Sequence, residues 1–141
     1  MKKRILFICV HNSARSQMAE AFVNLFAGDT LEAESAGLEP GKLNPVVVEV
    51  MKEIGVDISH KKTRSVNEVL KSERVFDYVI TVCDESNAKR CPLFPGKALR
   101  LHWSFEDPSS FSGTQKVKVE KIRLVRDSIK QKVQNWIKTI K

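Results

Sequence analysis

RILFICVHNSARSQMAEAF, Arg4 to Phe22, divides into three stretches of different chemistry. Arg4 to Cys9 is a nearly continuous apolar run of strand length, the pattern of a strand buried on both faces of a parallel sheet. After Ser16, apolar residues recur at helical spacing (Met18, Phe22, Leu25, Phe26) and Gly28 supplies a stop, which predicts a helix. Between them, CVHNSARS places a cysteine, small or polar residues and an arginine where a strand turns into a helix. Ligands of open parallel sheets bind beyond the carboxyl ends of the strands. The backbone N–H groups of Val10, His11, Asn12, Ser13, Ala14, Arg15 and Ser16 are therefore candidates to cradle a tetrahedral oxyanion, helped by the helix dipole and the planar fork of Arg15. The same field favours the thiolate of Cys9 at the base of the cradle. Ser13 and Ser16 can donate hydroxyl hydrogen bonds to its sulfur, and Asn12 can hold the loop in shape. A bare Cys-x5-Arg spacing is weak, since a single cysteine commonly only ends a buried strand. The combination with the strand before and the helix after carries the signal.

Working outward, Leu31–Gly37 reads as a second strand. Asn44 is a good N-cap, Pro45 suits a first helical position, and VVVEVMKEI runs to Gly55 as a helix stop. Phe76–Cys83 is a strong strand and Ala98–Trp103 a weaker one. Strands alternating with helices predict one α/β domain over residues 1–141, a central four-stranded parallel sheet flanked by helices with the anion-binding loop after the first strand. No repeat, low-complexity tract or linker divides it.

The chain has 141 residues, 42% hydrophobic and 29% charged, with a formal net charge of +7. Residues 1–115 hold 15 basic and 15 acidic side chains, so the excess lies in 116–141, with nine basic and two acidic. There Ile122, Val125, Ile129, Val133, Trp136 and Ile140 form the stripe of an amphipathic helix, and the basic residues read as its solvated outer face. No aromatics interleave with them as a nucleic-acid platform requires, so no nucleic-acid partner is expected. No apolar run approaches the roughly 18 residues that span a membrane, and the apolar start is too short for a secretory signal. The protein is expected in the cytoplasm, where its three cysteines are thiols available for packing or chemistry. No Cys/His grouping has zinc spacing, and no metal or cofactor is expected.

Cys83 ends its strand much as Cys9 does, so parallel strands bring both sulfurs to one edge of the sheet. Cys91 follows across DESNAKR, a candidate short helix able to unwind. From the residues alone these two thiols are equally well packing groups.

CVHNSARSQMAEA, with ESAGLEPGKLNPVVVEVMKEIGVDIS, VITVCDESNAKRCP and LHWSFEDP in that order, resembles the thioredoxin-coupled arsenate reductases, which share the low-molecular-weight protein tyrosine phosphatase fold. The resemblance implies that Cys9 is the nucleophile, Arg15 the oxyanion clamp and Asp107 the general acid. Asp107 taken alone is equally a turn residue before Pro108. It further implies that arsenate is the substrate, with phosphate or sulfate as mimics, and that electrons pass through Cys9, Cys83 and Cys91 as successive disulfides, recycled by thioredoxin or a similar thiol reductant. The alternative is a phosphatase for phosphotyrosine or small esters using Cys9, Arg15 and Asp107. Against it, DPSSFSG offers only Phe111 as a stacking aromatic, and Gln17 stands where such phosphatases usually have proline. A non-catalytic anion-binding regulator would leave Asp107 and two thiols without purpose. Part of the family holds potassium. Asn12, Glu20 and Ser35 match its ligands, but SHKKTRSV lacks the expected carboxylate, and Arg64 or a nearby lysine is expected to supply positive charge instead.

Overall fold

The computed structural model describes residues 2–91 and 96–140. Four strands, β1 (Lys3–Cys9), β2 (Leu31–Gly37), β3 (Tyr78–Thr81) and β4 (Leu99–His102), form one sheet in the order β2-β1-β3-β4, and every neighbouring pair is parallel. The apolar runs fix this order. β1 lies inside the sheet with Ile5 to Ile8 wholly buried, whereas β4, at an edge, is mostly exposed.

Side chains alternate between the two faces, as the strand period requires. Ile5, Phe7 and Cys9 face a core built with α1 (Arg15–Ala27), α2 (Pro45–Lys52) and α5 (Gln115–Ile140), through Met18, Phe22, Val50, Ile129 and Val133. Leu6, Ile8 and Val79 face a smaller core with α3 (Val66–Lys71), through Val66 and Val69. Trp103 and Trp136 meet edge to face at 5.5 Å, and Tyr78 meets Trp136 at 5.0 Å, which seats the long α5 on the sheet.

Several element limits differ from the sequence reading. The strand expected over Phe76–Cys83 is limited to Tyr78–Thr81, with Val82 N–H still donating to Ile8 O at 2.8 Å, so Cys83 lies two residues past the strand end. β4 is likewise shorter than Ala98–Trp103. Gly28 follows α1 with φ −61°, a right-handed conformation and not the left-handed stop, and a Cβ there would come within 2.4 Å of Asn24 O. Leu25 is 58% exposed and leaves the core to its small neighbours Ala21 and Val23. On α5, Ile137 joins the buried stripe, and Ile140 packs against the same core partly buried. The basic face of α5 is partly structural: Arg126 is buried, donates to Val50 O at 2.8 Å and pairs with Glu53 at 3.0 Å. α2 starts as its sequence predicts, with Asn44 Oδ1 accepting from Val46 and Val47 N–H. It ends at Lys52, and Gly55, at φ +79°, closes the turn as Val56 N–H donates to Met51 O. α3 was not anticipated, although Ser65 caps it by accepting from Glu68 N–H, a pairing written as Ser-x-x-Glu. Among the described residues no helix is long and apolar enough to cross a membrane.

Candidate active site

Cys9 is the last residue of β1 and Arg15 the first of α1, so the intervening loop sits at the carboxyl edge of the sheet with the amino end of a 13-residue helix behind it. Asn12 adopts φ +55°, a conformation asparagine tolerates better than most side chains. Its side chain pins that turn three ways: Oδ1 accepts from Arg64 N–H at 2.9 Å and from Gln17 Nε2 at 3.3 Å, and Nδ2 donates to Ser16 Oγ at 2.8 Å. Gly37 at the end of β2 lies against the same loop. A Cβ there would come within 2.8 Å of Asn12 N and 2.9 Å of Val10 O, so only glycine fits.

Cys9 is 2% exposed, and its sulfur is met by Asn12 N–H at 3.1 Å and Ser16 Oγ at 2.9 Å. Ser16 Oγ accepts from Asn12 Nδ2 and so keeps its own hydrogen available to the sulfur. The hydroxyl at the Cys9 sulfur is thus that of Ser16. Ser13 serves the framework instead, its carbonyl accepting from Asn44 N–H at 3.0 Å. Gln17 supports the loop from below through Asn12 O and Lys62 O.

Arg15 is 5% exposed, held by a 3.2 Å bond from Nη1 to Phe105 O, with Nη2 3.7 Å from Asp107 Oδ2. Asp107 caps the short 3-10 turn Pro108–Ser110 by accepting from Ser109 N–H at 2.9 Å. It is therefore a turn residue whose other carboxylate oxygen faces Arg15 of the loop. A cavity of about 430 Å³ opens here between His11, Arg15, Asp84, Phe105, Glu106 and Asp107. A larger groove of about 530 Å³ lies beside α5. It is lined by neither Arg15 nor Asp107, so chemistry and not size marks the site.

All three cysteines are thiols and buried. Burial pushes the Cys83 thiol up to about 11, with Arg15 opposing and Cys9 and Asp84 adding to the rise. Cys83 and Cys9 belong to the same core cluster. Cys91 is different. It packs with Leu6, Ile8 and Val79, whereas Cys9 and Cys83 belong to the core that holds Phe7 and Ile80 on the other face. Burial raises its thiol as well, partly offset by Arg100. The segment between the two includes the expected short helix, α4 (Glu85–Ala88).

The residues matching the potassium ligands do not fit a cation. Glu20, 4% exposed, takes a hydrogen bond from Ser35 Oγ at 3.0 Å on one oxygen, and on the other pairs with the ammonium of Lys61. Lys61 is the nearby lysine expected from the sequence, while Arg64 pairs with Glu34 at 3.2 Å.

Sequence reasoning missed Phe105, which offers only its carbonyl, and Glu39, whose partners His11 and Arg90 are remote in the chain. No local pattern marks either.

The profile of the family described as low molecular weight phosphotyrosine protein phosphatase matches residues 4–141. An arsenate reductase of Halalkalibacterium halodurans is 39% identical over 138 residues, covering 98% of this chain and 97% of that protein. A solved arsenate reductase in the phosphate-binding state superposes with a TM-score of 0.78 at 29% identity, covering 99% of each chain. The thioredoxin-dependent arsenate reductase of Corynebacterium glutamicum superposes with a TM-score of 0.60 at 33% identity, over 94% of this chain and 62% of that one.

Proposed function

Because the chain belongs to the low-molecular-weight phosphotyrosine protein phosphatase family, we propose that its anion loop serves the reductase chemistry of its relatives: conversion of arsenate to arsenite, with electrons from a thioredoxin-like thiol reductant in the cytoplasm and with no nucleic-acid or membrane partner. The observation that carries the reading is the placement of three buried thiols, Cys9 in the cradle, Cys83 within the field of Arg15, and Cys91 across the sheet. A phosphatase needs only the first, since water frees its cysteinyl ester.

In the proposed sequence, arsenate lies on the N–H groups of the loop and on Arg15, and phosphate or sulfate imitates it. The Cys9 thiolate forms a bond to arsenic, and one oxygen leaves as water after taking a proton from Asp107. Asn12 N–H and Ser16 Oγ hold the sulfur in line. Cys83, giving up its proton to solvent, then attacks the Cys9 sulfur. The S–S bond forms, the S–As bond breaks, and its electron pair stays on arsenic, which departs as arsenite in the lower oxidation state. Cys91 attacks Cys83, displacing Cys9 as thiolate and releasing its own proton to solvent. The external dithiol reduces Cys83–Cys91 and is itself oxidised to a disulfide.

The phosphatase alternative finds less aromatic surface at the mouth than stacking of an aryl ester asks for, since Phe105 lines it but Phe111 lines the neighbouring groove. Arsenate-dependent consumption of NADPH in a coupled thioredoxin and thioredoxin reductase assay tests the proposal. Stoichiometric consumption per arsenite is expected, and none, beside brisk aryl phosphate hydrolysis, would favour the phosphatase.

A further inference from the structure

For Cys91 to reach Cys83, residues 84–91 must leave the position they hold in the resting fold, because the two sulfurs belong to cores on opposite faces of the sheet. A continuous polar chain holds them there. Asp84 accepts from Asn87 twice, from N–H at 3.3 Å and from Nδ2 at 2.7 Å. Asn87 Oδ1 accepts from Arg90 Nη1 at 2.8 Å, and Arg90 Nη2 pairs with Glu39 Oε2 at 2.6 Å. Glu39 is fixed to the anion loop through its backbone: its N–H donates to Val10 O at 2.7 Å and its carbonyl accepts from His11 Nδ1 at 2.8 Å. The chain thus starts at the residues that surround an oxyanion and ends beside Cys91.

We infer that Arg90 is a positioning residue for the third thiol: by bridging Glu39 and Asn87 it straps the Cys91-bearing segment to the anion loop and sets how readily Cys91 leaves its pocket for Cys83. The inference rests on the three-cysteine reading above. Its strength suits a catch that opens on every turnover. The Arg90 and Glu39 side chains are 46% and 57% exposed, so water and salt screen their attraction and the contact is easily broken. The hydrogen bond to Asn87 directs the guanidinium, and the Asp84 bonds keep α4 wound while the strap is closed. Cys91 follows that helix, its N–H bonding to Ala88 O at the last helical residue, and Arg100 Nη2 on the Cys91 carbonyl at 3.4 Å is a further contact to break once the strap opens.

The test uses the full-length, fully reduced protein without arsenate and reads the rate of iodoacetamide labelling at Cys91, mapped by mass spectrometry at fixed pH. Arg90→Ala, and independently Glu39→Gln, should each speed Cys91 labelling about two- to fivefold, the effect of an exposed pair. Roughly 1 M sodium chloride should accelerate the wild type and leave Arg90→Ala unmoved. The charge-reversed pair Glu39→Arg with Arg90→Glu should return labelling towards the wild-type rate, which a merely structural role would not do. In single turnover, transfer of the disulfide from Cys9–Cys83 to Cys83–Cys91 should quicken by the same factor, with the KM for arsenate unchanged. Equal or slower labelling in both single variants overturns the assignment. If Arg90→Ala unfolds the segment outright, Glu39→Gln, on another part of the chain, still decides. Labelling needs no arsenate, so accelerated labelling in a protein that makes no arsenite would defeat the reading of the reaction and leave the strap standing.

Discussion

Arg15 and Asp107 face each other across the mouth of the anion loop, Nη2 to Oδ2 at 3.7 Å, while the other carboxylate oxygen of Asp107 is fixed by Ser109 N–H at 2.9 Å. The Asp107 carboxylate is thus oriented by its own turn and directed at Arg15, as the proposed roles of general acid and oxyanion clamp require. Asp107→Asn keeps the turn, because an amide oxygen accepts the same N–H bond. It should lower kcat about 10²- to 10⁴-fold, the range for loss of a positioned proton donor. Inhibition by phosphate should be retained. Normal kcat with weakened phosphate inhibition would contradict the role.

Ser16 supplies the hydroxyl at the Cys9 sulfur, 2.9 Å away, and Asn12 Nδ2 sets its direction. Ser16→Ala should slow formation of the cysteinyl adduct about tenfold or more, as expected when a charged group loses a hydrogen bond. Asn12→Ala should cost more in stability than Ser16→Ala, since it also releases Arg64 N–H and Gln17 and places alanine at φ +55°. Single-turnover rates and thermal unfolding read the two effects separately. Similar melting temperatures for both variants would argue against the account of the loop.

Much of this site was legible because its signals are local. Arg4 to Phe22 contains the strand, the loop and the helix that place Cys9 and Arg15, and Asn44-Pro45 starts α2 by rules that act over four residues. What escaped depended on distant partners. The end of β3 is set by its pairing with β1 and β4 more than by its own apolar run, which continues to Cys83. Ser13 and Ser16 were equal candidates until the turn at Asn12 chose between them. The Glu39 to Arg90 pair spans 51 positions and has no sequence signature.

The raised thiols give the reductive steps a definite pH dependence. Burial pushes Cys83 up to about 11 and raises Cys91, so both are protonated near neutrality, and the fraction present as thiolate increases with pH. Single-turnover arsenite release should therefore rise between about pH 7 and pH 10, towards tenfold per pH unit if no other step intervenes. Stability should move the opposite way. The unfolded chain ionises near the ordinary thiol value of about 8.5 while folded Cys83 holds its proton, so stability from this group is intact below that value and lost as pH climbs towards 11. A release rate flat across the window would mean that the attacking thiol is ionised by a partner not seen in the resting fold.

Lys61 on Glu20 makes the enzyme its own cation donor. Rates in potassium, sodium and choline salts at constant ionic strength should agree within about twofold, because screening alone then remains. Lys61→Met should lower activity and destabilise the loop, since it leaves Glu20, 4% exposed, without its counter-charge. A large, specific gain in potassium for the wild type would show that an ion competes successfully with the lysine.

The central claim is that oxyanion capture and electron supply belong to different thiols, and Cys83→Ser separates them. The variant retains Cys9, Arg15 and Asp107, so slow hydrolysis of an aryl phosphate should persist while arsenite production stops. Cys91→Ser should release about one arsenite per enzyme and stall with Cys9 joined to Cys83, since the resolving thiol is missing. The deciding measurement is peptide mass spectrometry of Cys91→Ser after arsenate treatment without reductant. The account predicts a Cys9–Cys83 disulfide in proportion to the arsenite released. Multiple turnovers of arsenite by this variant, with Cys83 recovered as a thiol, would contradict it and leave Cys83 and Cys91 as packing residues.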